Sequence, residues 1–343
     1  MITTDRAIAE DWHAIQLGEG GDDDESLVDV RLYGHLKIVG PPQSGLTATC
    51  QRYAYSAVKN GWDVFVIETA NKGAEYTELN DWIHVFTNPF EAAEVTAWGI
   101  EQVVRREKVL AEANVESWDQ LAQETIEAEN IMPIAIIVDG FDDLISYDSI
   151  DIDAPIADQS PLSNIARDAA LHNLALLSRD QQQRLGIYLV LATSGQYLGG
   201  EIWRNFPNTV TCDSHLLVVN AESAPHASHW SASFAGLENQ AIQAAHDFSD
   251  KSRPFAVIGV SERPAKAIPL GKVPVAAMRS TLIAMNLSPL VMLDPDDYHE
   301  EAGSMGDLSA EINAEVASRF TPLPSWTPAE IERVFGETFP PNS

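Results

Sequence analysis

Short apolar runs alternate with helical stretches along this chain, and that alternation restricts the fold more than any other feature. Leu36 to Val39 ends at Gly40, a helical stretch follows from about Thr47 to Lys59, and Val64 to Ile67 forms a second β-rich run. Residues 91–114 have helical composition with no Gly or Pro after Gly99. Ile134 to Val138 is then continuously apolar and ends at Asp139. A second long helical stretch, about Pro161 to Leu185, leads into Ile187 to Ala192, and weaker β runs lie at Ser214 to Val219 and Pro254 to Val260. A strand apolar at every position buries both faces. Strand and helix in alternation therefore predict an α/β fold, a mostly parallel sheet flanked by helices.

The 343 residues, 45% apolar and 21% charged, suffice for one large domain or two ordinary ones. Residues 1–28 are polar, with Gly18 to Glu25 rich in Gly and Asp, and read as an acidic flexible tail. The folded domain is expected over 29–265. Residues 266–343 turn Pro-rich and acidic and read as an extension, with a short helical candidate at Thr327 to Phe335. Two cysteines, Cys50 and Cys212, form neither a disulfide framework nor a zinc cluster, which fits a reducing cytoplasm. The amino-terminal residues lack the basic start and apolar stretch of a signal peptide. No segment has the apolar length of a membrane span, so a soluble cytoplasmic protein without membrane contact is expected.

Charge is the anomaly. Lys and Arg total 21 against 51 Asp and Glu, a formal net charge of −30. That balance opposes non-specific attraction to DNA, RNA or an anionic membrane. Residues 109–166 and 205–250 contain no Lys or Arg at all. The first stretch is dense in carboxylates and reads as a solvated acidic face or as a docking site for a basic partner.

Gly40-Pro41-Pro42-Gln43-Ser44-Gly45-Leu46-Thr47 lies between a strand and a helix and fits G-x-x-x-x-G-x-[ST]. In such a loop, backbone N–H groups and the helix N-terminus cradle phosphate, and a lysine reaches the outer phosphates. Leu46 stands at the lysine position and supplies no charge. Thr47 is retained, although capping alone also selects Thr at the first turn of a helix.

Several separated segments, in order and spacing, resemble the FtsK/SpoIIIE branch of the FtsK/HerA family of RecA-like ATPases over roughly residues 30–265. His35 to Gly40 looks like the strand entering the phosphate loop, and Asn71-Lys72-Gly73-Ala74-Glu75-Tyr76 is similar to the family's Pro-Lys-Gly segment. Thr87-Asn88-Pro89 with Glu91-Ala92-Ala93 resembles its Thr-Asp-Pro helix start. Ile136 to Leu144 looks like the Walker B strand and its continuation, and Gly186 to Thr193 like the strand that ends in Ala-Thr-Gln. The resemblance implies a RecA-like P-loop domain in which Gly40, Gln43, Ser44, Gly45, Leu46 and Thr47 surround the phosphates of ATP. It also implies that Thr47 and Asp139 hold Mg²⁺ and that Lys72 approaches the nucleotide or a neighbouring subunit.

The departures fall on the chemistry. Gly140 stands where an active motor has the glutamate that activates water, and Ser194 replaces the sensor glutamine, with Gln196 two residues on. Losing a general base costs about 10²–10⁴ in rate. Asp142 and Asp143 lie past the strand end and read as surface residues starting a helix or turn, with a relocated base as the alternative. The degenerate Asp-Gly-Phe also resembles the eroded ATPase modules of EccC-type type VII secretion motors.

The other candidates have plain structural readings. Lys37 reads as a strand-end charge, and Arg179, Arg184 and Arg204 as surface charges or arginines presented across a subunit boundary. His226, His229 and His246 form no complete ligand set, and Trp203 and Phe206 read as core or interface aromatics. Arg105, Arg106 and Lys108 are the one tight basic cluster in the family-like core, and read as the polar face of a long helix. The expectation is a non-hydrolysing structural or regulatory assembly component with at most weak binding of ATP and Mg²⁺, joined to a protein partner or to copies of itself. An ATP-driven translocase of double-stranded DNA and a polypeptide-recognition module are the alternatives.

Overall fold

The computed structural model describes residues 8–18, 26–41, 43–145, 161–194, 214–219, 243, 255–260, 266–270, 274–285 and 287, all within the unit Thr3–Leu290. Strands β1 (Ala14–Gln16) and β2 (Leu27–Asp29) make a small antiparallel pair, and α1 (Val30–Tyr33) follows. The main sheet takes β3 (Leu36–Val39), β4 (Asp63–Ile67), β5 (His84–Phe86), β6 (Ile134–Asp139) and β7 (Ile187–Thr193). It is completed by β8 (Ser214–Val219), β9 (Phe255–Val260) and β10 (Lys266–Pro269). The helices are α2 (Leu46–Lys59), α3 (Pro89–Ala113), α4 (Gln123–Glu129), α5 (Phe141–Ile145), α6 (Pro161–Leu177) and α7 (Val275–Ala284).

Strand order across the sheet is β10-β9-β8-β3-β7-β6-β4-β5. Every neighbouring pair from β8 to β5 is parallel, and β9 and β10 add an antiparallel edge. The α/β expectation holds. The strand ending at Gly40 and the strand ending at Asp139 are separated by one strand, β7. Val39 pairs with Thr193, and Asp139 with Ala192, so the three carboxyl ends finish level.

Alternation across the pleat sorts the core into two layers. Leu36 and Ile38, Ala135 and Ile137, and Val190 and Ala192 pack in one cluster with Cys50, Tyr53, Ala54, Ala57 and Val58 of α2. On the opposite face α3 lies along α6, and Ile136 and Leu177 meet α3 at Gly99. Fully burying one such aliphatic or aromatic side chain stabilises the fold by roughly 1.5–3 kcal/mol. The start of α3 follows from its sequence. The Asn88 carboxamide accepts from the N–H groups of Phe90 and Glu91, Pro89 takes the first helical position, and Glu91 accepts from the Thr87 N–H.

The packed body is wider than 29–265. Ile15 and Leu17, in the stretch expected to be a tail, are fully buried in the α2-side cluster, and Arg52 donates to the Leu17 carbonyl at 2.9 Å. Their apolar-polar alternation through Gln16 is a strand pattern only three residues long, which the neighbouring Gly/Asp run overshadows in the sequence. Beyond 265, β10 pairs with β9, and Met278 and Leu282 of α7 are buried in the same cluster. The helical stretch expected to reach Leu185 stops at Leu177, and Asp180–Leu185 is a 3₁₀ turn ending at Gly186. The candidates Gln196, Trp203, Arg204, Phe206, His226, His229 and His246, and the helical candidate at 327–335, lie outside the described residues.

The basic cluster on α3 does not form a patch. Arg106 is buried and donates to the carbonyls of Leu185 (2.8 Å), Gly186 and Met132, joining α3 to the amino ends of β6 and β7. Arg105 is paired with Glu129, and Lys108 with Glu112. Removing the buried guanidinium strands these carbonyls, so Arg106→Ala should lower the unfolding free energy by about 2–4 kcal/mol in urea titrations. The surface change Lys108→Ala should shift it by under about 0.5 kcal/mol.

Candidate functional site

The chain leaves β3 at Gly40 and turns through the loop into α2. Gly40 is held by the Thr193 carbonyl at 3.3 Å, and a Cβ on it would lie 2.3 Å from the Val218 carbonyl oxygen, so no other residue fits between β7 and β8 here. Gln43 and Gly45 adopt positive φ (66° and 101°), which curls the loop before α2 begins at Leu46. Ser44 is 3% exposed, and its hydroxyl has no hydrogen-bond partner among the described residues. Leu46 is half-buried and packs against the apolar cluster below α2.

Opposite the loop, Asp139 ends β6. It is 6% exposed, accepts from the Thr47 hydroxyl at 3.3 Å and from the Tyr76 hydroxyl at 2.9 Å. Burial pushes its carboxyl up to about 6, and the charges of Glu68 and Glu75 act in the same direction, while the hydrogen bonds from Tyr76 and Thr47 oppose them. The same burial pushes the Cys50 thiol and the Tyr76 phenol up. Tyr76 arrives through the segment that resembles Pro-Lys-Gly. Buried Glu68 accepts from the N–H groups of Asn71 (2.6 Å) and Gly73 (2.7 Å), bending the chain at Lys72 and starting the 3₁₀ turn Ala74–Leu79 that carries the phenol inward.

Asp142 differs from its sequence reading. It is 5% exposed rather than on the surface. Its carboxylate accepts from the Thr193 hydroxyl at 2.7 and 2.8 Å, from the Ser194 N–H at 2.6 Å and from the Ser194 hydroxyl at 3.0 Å. A carboxylate engaged in this way is a clasp on the end of β7. Asp143 stays exposed, with its carboxyl pushed up by partial burial and by the charges of Asp142 and Glu68. Gly140, two residues before Asp142, has φ +81°, and a Cβ would lie 2.6 Å from an Asp143 carboxylate oxygen. A glutamate at 140 therefore meets both backbone strain and a like charge.

A cleft of about 430 Å³ opens between these walls. Its described lining is Gln43, Gly45, Leu46, Thr47 and Ala48 on the loop side, and Asp139, Gly140, Asp142, Asp143, Ala192 and Ser194 on the other. Thr47 and Asp139 thus meet, as expected, beside Gln43, Gly45 and Leu46. Lys72 is exposed and lies outside this lining. Lys37 sits within β3, paired with Leu191 and His215, and exposed Arg179 and Arg184 precede β7 at the far end of the sheet. Tyr76 and Asp142 carry no motif signal of their own. Their offset from Gly73 and Asp139 is the sole trace of them in the sequence.

A loop of this class implies nucleotide phosphate and Mg²⁺. The curled backbone before α2 fits a phosphate group, the buried Ser44 hydroxyl beside Gly40 has no partner among the described residues, and Thr47 with Asp139 would hold a magnesium ion, which when bound would supply positive charge to offset phosphate. No basic side chain stands among the described lining residues.

No protein-family model matches the chain. A conjugation coupling protein, TcpA of pCW3, solved as a monomer with ATPγS, superposes with a TM-score of 0.60 at 13% identity, covering 83% of this chain and 73% of that one. ATPases 2 and 3 of EssC from Geobacillus thermodenitrificans superpose with a TM-score of 0.51 at 14% identity, covering 86% and 54%. These likenesses, with the loop facing Asp139 across the carboxyl ends of a mainly parallel sheet, place the chain in the RecA-like class of P-loop ATPase folds. The curated DNA translocase FtsK of Clostridium tetani (strain Massachusetts / E88) is 29% identical over 153 residues, 42% of this chain and 20% of that protein. The chain is a relative of the FtsK/HerA-type P-loop ATPases, and it matches only a fifth of the length of the curated translocase.

The raised Asp139 carboxyl sets a pH dependence with a definite sign. Its pKa moves from an ordinary 3.8 to about 6, so between those values the folded state keeps a proton the unfolded chain has lost, and stability falls as pH rises. Two pH units correspond to about 3 kcal/mol. Asp139→Asn should be more stable than the unaltered chain by up to that amount above about pH 7, and nearly equal to it below about pH 4, in denaturation midpoints measured across pH.

Proposed function

We propose that this chain is a non-hydrolysing FtsK/HerA-type P-loop protein that serves as a structural or regulatory component of an assembly, with weak nucleotide binding at the Gly40–Thr47 loop. The observation that carries this reading is the cleft lining. A phosphoryl-transfer site works by neutralising charge and positioning water. Here the lysine position holds Leu46 folded onto the core, the base position holds Gly140 at positive φ, and Asp142 is committed to β7. Asp139 and Thr47 remain to steady a metal-bound phosphate. Among the described residues no helix is long and apolar enough to cross a membrane.

Purified protein should release phosphate from ATP no faster than the Asp139→Ala variant, and steady turnover abolished by that change would overturn the reading. Leu46→Lys should tighten binding of a Mg·ATP analogue by about tenfold, the worth of one charge-assisted contact. Adding Gly140→Glu to it should not start turnover, because the glutamate cannot take its place without moving Asp143.

The translocase named by the curated relative is the reading to test against. Arg106 is internal, Arg105 and Lys108 are matched by acids, and the net charge is −30, which leaves little to release counterions from a duplex. No complex with linear duplex DNA should form at about 150 mM salt in mobility-shift assays. Submicromolar binding with a steep salt slope would favour translocation instead.

A further inference from the structure

A second cavity, of about 220 Å³, opens at the amino end of β7, where Tyr188 lies roughly 17 Å back along the strand from Thr193. Its walls are aromatic and braced. Trp118 donates its indole N–H to the Ile131 carbonyl and lies over Gly186, where a Cβ would come within 3.0 Å of the ring. Trp12 meets Trp118 edge to face with centroids 4.9 Å apart. Trp62 supports the other two walls, donating to the Trp12 carbonyl at 2.9 Å and packing on the Tyr188 ring at 4.9 Å. Tyr188 lines the cavity and is 3% exposed, yet its hydroxyl makes no hydrogen bond to any described residue. A buried hydroxyl without a partner is uncommon enough to require an explanation. Burial pushes its phenol up, and the charges of Asp119 and Asp29 add to the rise while those of Arg31 and Arg106 oppose it. The hydroxyl therefore stays protonated beside the polar lining, able both to donate and to accept.

That polar lining holds no surplus positive charge. Arg31 is engaged by Asp29 through two bonds, at 3.1 and 2.8 Å, and Arg184 faces Glu107 at 3.3 Å. Asp119, which accepts from the Ser117 hydroxyl, adds a carboxylate, and Gln183 adds an amide. An anion would find both guanidiniums already matched, and a cation would come up against them. Stacking surface with donors and acceptors side by side complements a neutral planar ring whose edge carries both. The volume is below the about 300–1,000 Å³ of drug-sized sites and suits one such ring. From this lining we propose that the amino-end cavity binds a nucleobase, with the Tyr188 hydroxyl as one of its hydrogen-bond partners. The base comes from a free nucleoside rather than from a nucleic-acid strand, because a net charge of −30 opposes strand phosphates. The phosphate loop, at the other end of the sheet, takes no part.

The test is calorimetric titration of guanosine, adenosine, cytidine and uridine, without Mg²⁺, into the full chain and into Tyr188→Phe and Asp119→Asn. At least one nucleoside should bind saturably. Tyr188→Phe should weaken it by roughly three- to tenfold, the worth of one neutral hydrogen bond, while leaving the urea midpoint unchanged, since the oxygen removed bonds to no described residue. Asp119→Asn, which replaces an acceptor with an amide, should alter the ranking of the four nucleosides. A single-stranded RNA hexamer at about 150 mM salt should bind no more tightly than the best nucleoside. Tighter hexamer binding that Tyr188→Phe weakens would support base recognition and assign the base to a strand. No saturable binding of any nucleoside, or binding that both variants leave unchanged, would overturn the proposal. So would benzoate or L-tryptophan binding more tightly than every nucleoside. The probes carry no phosphate, so failure here leaves the loop reading intact, and failure of the loop reading leaves this one.

Discussion

The parallel ladder that joins β3, β7 and β6 in register is the constraint on which the rest of this molecule depends. Because Val39 lies beside Thr193 and Asp139 beside Ala192, three strands end at the same height, and the described residues that line the cleft are delivered to one rim of the sheet. A slip of one residue would turn each strand over. The two-layer core forbids it: Ala135 and Ile137 are buried under α2 while Ile136 is buried against α3. Site geometry is therefore held by apolar packing far more than by any contact within the cleft.

On that rim the described residues bring Thr47 and Asp139 together, and no basic side chain stands among the described residues that line the cleft. Thr47 and Asp139 still face one another, and Tyr76 and Glu68 orient the second strand's turn toward them. The charged side chains among the described lining residues are all carboxylates, and burial raises the Asp139 carboxyl to about 6. Phosphoryl transfer needs the opposite field. The Asp142 clasp satisfies the β7 terminus from within the protein, accepting from the Thr193 hydroxyl and the Ser194 N–H.

The arginines make the same point at the other end of the sheet. Arg106 serves the carbonyls of Leu185, Gly186 and Met132 and so ties α3 to the strands below it, while Arg184 pairs with Glu107 on the same helix. A cation spent on backbone oxygens cannot meet a nucleic-acid phosphate. In a chain with 51 acidic residues and 21 basic ones, the basic residues near the strand starts are used structurally.

Local pattern determined a good deal. The β runs, the long helices, the phosphate-type loop and the presence of Leu46 and Gly140 at motif positions were legible, because each depends on periodicity or on a motif within a few neighbouring residues, whereas the meeting of Thr47 with Asp139, 92 residues apart, was implied only by the family resemblance. The hairpin that buries Ile15 and Leu17, the edge strand β10, the delivery of Tyr76 and the burial of Asp142 were not legible. Each depends on a partner distant along the chain: Arg52, β9, Asp139, and the Thr193–Ser194 step. An aspartate two residues past a strand has the same sequence signature whether it faces water or clasps a neighbouring strand. Only the level register of β6 and β7 puts the hydroxyls of Thr193 and Ser194 within hydrogen-bond reach of Asp142, and so decides that this carboxylate is structural.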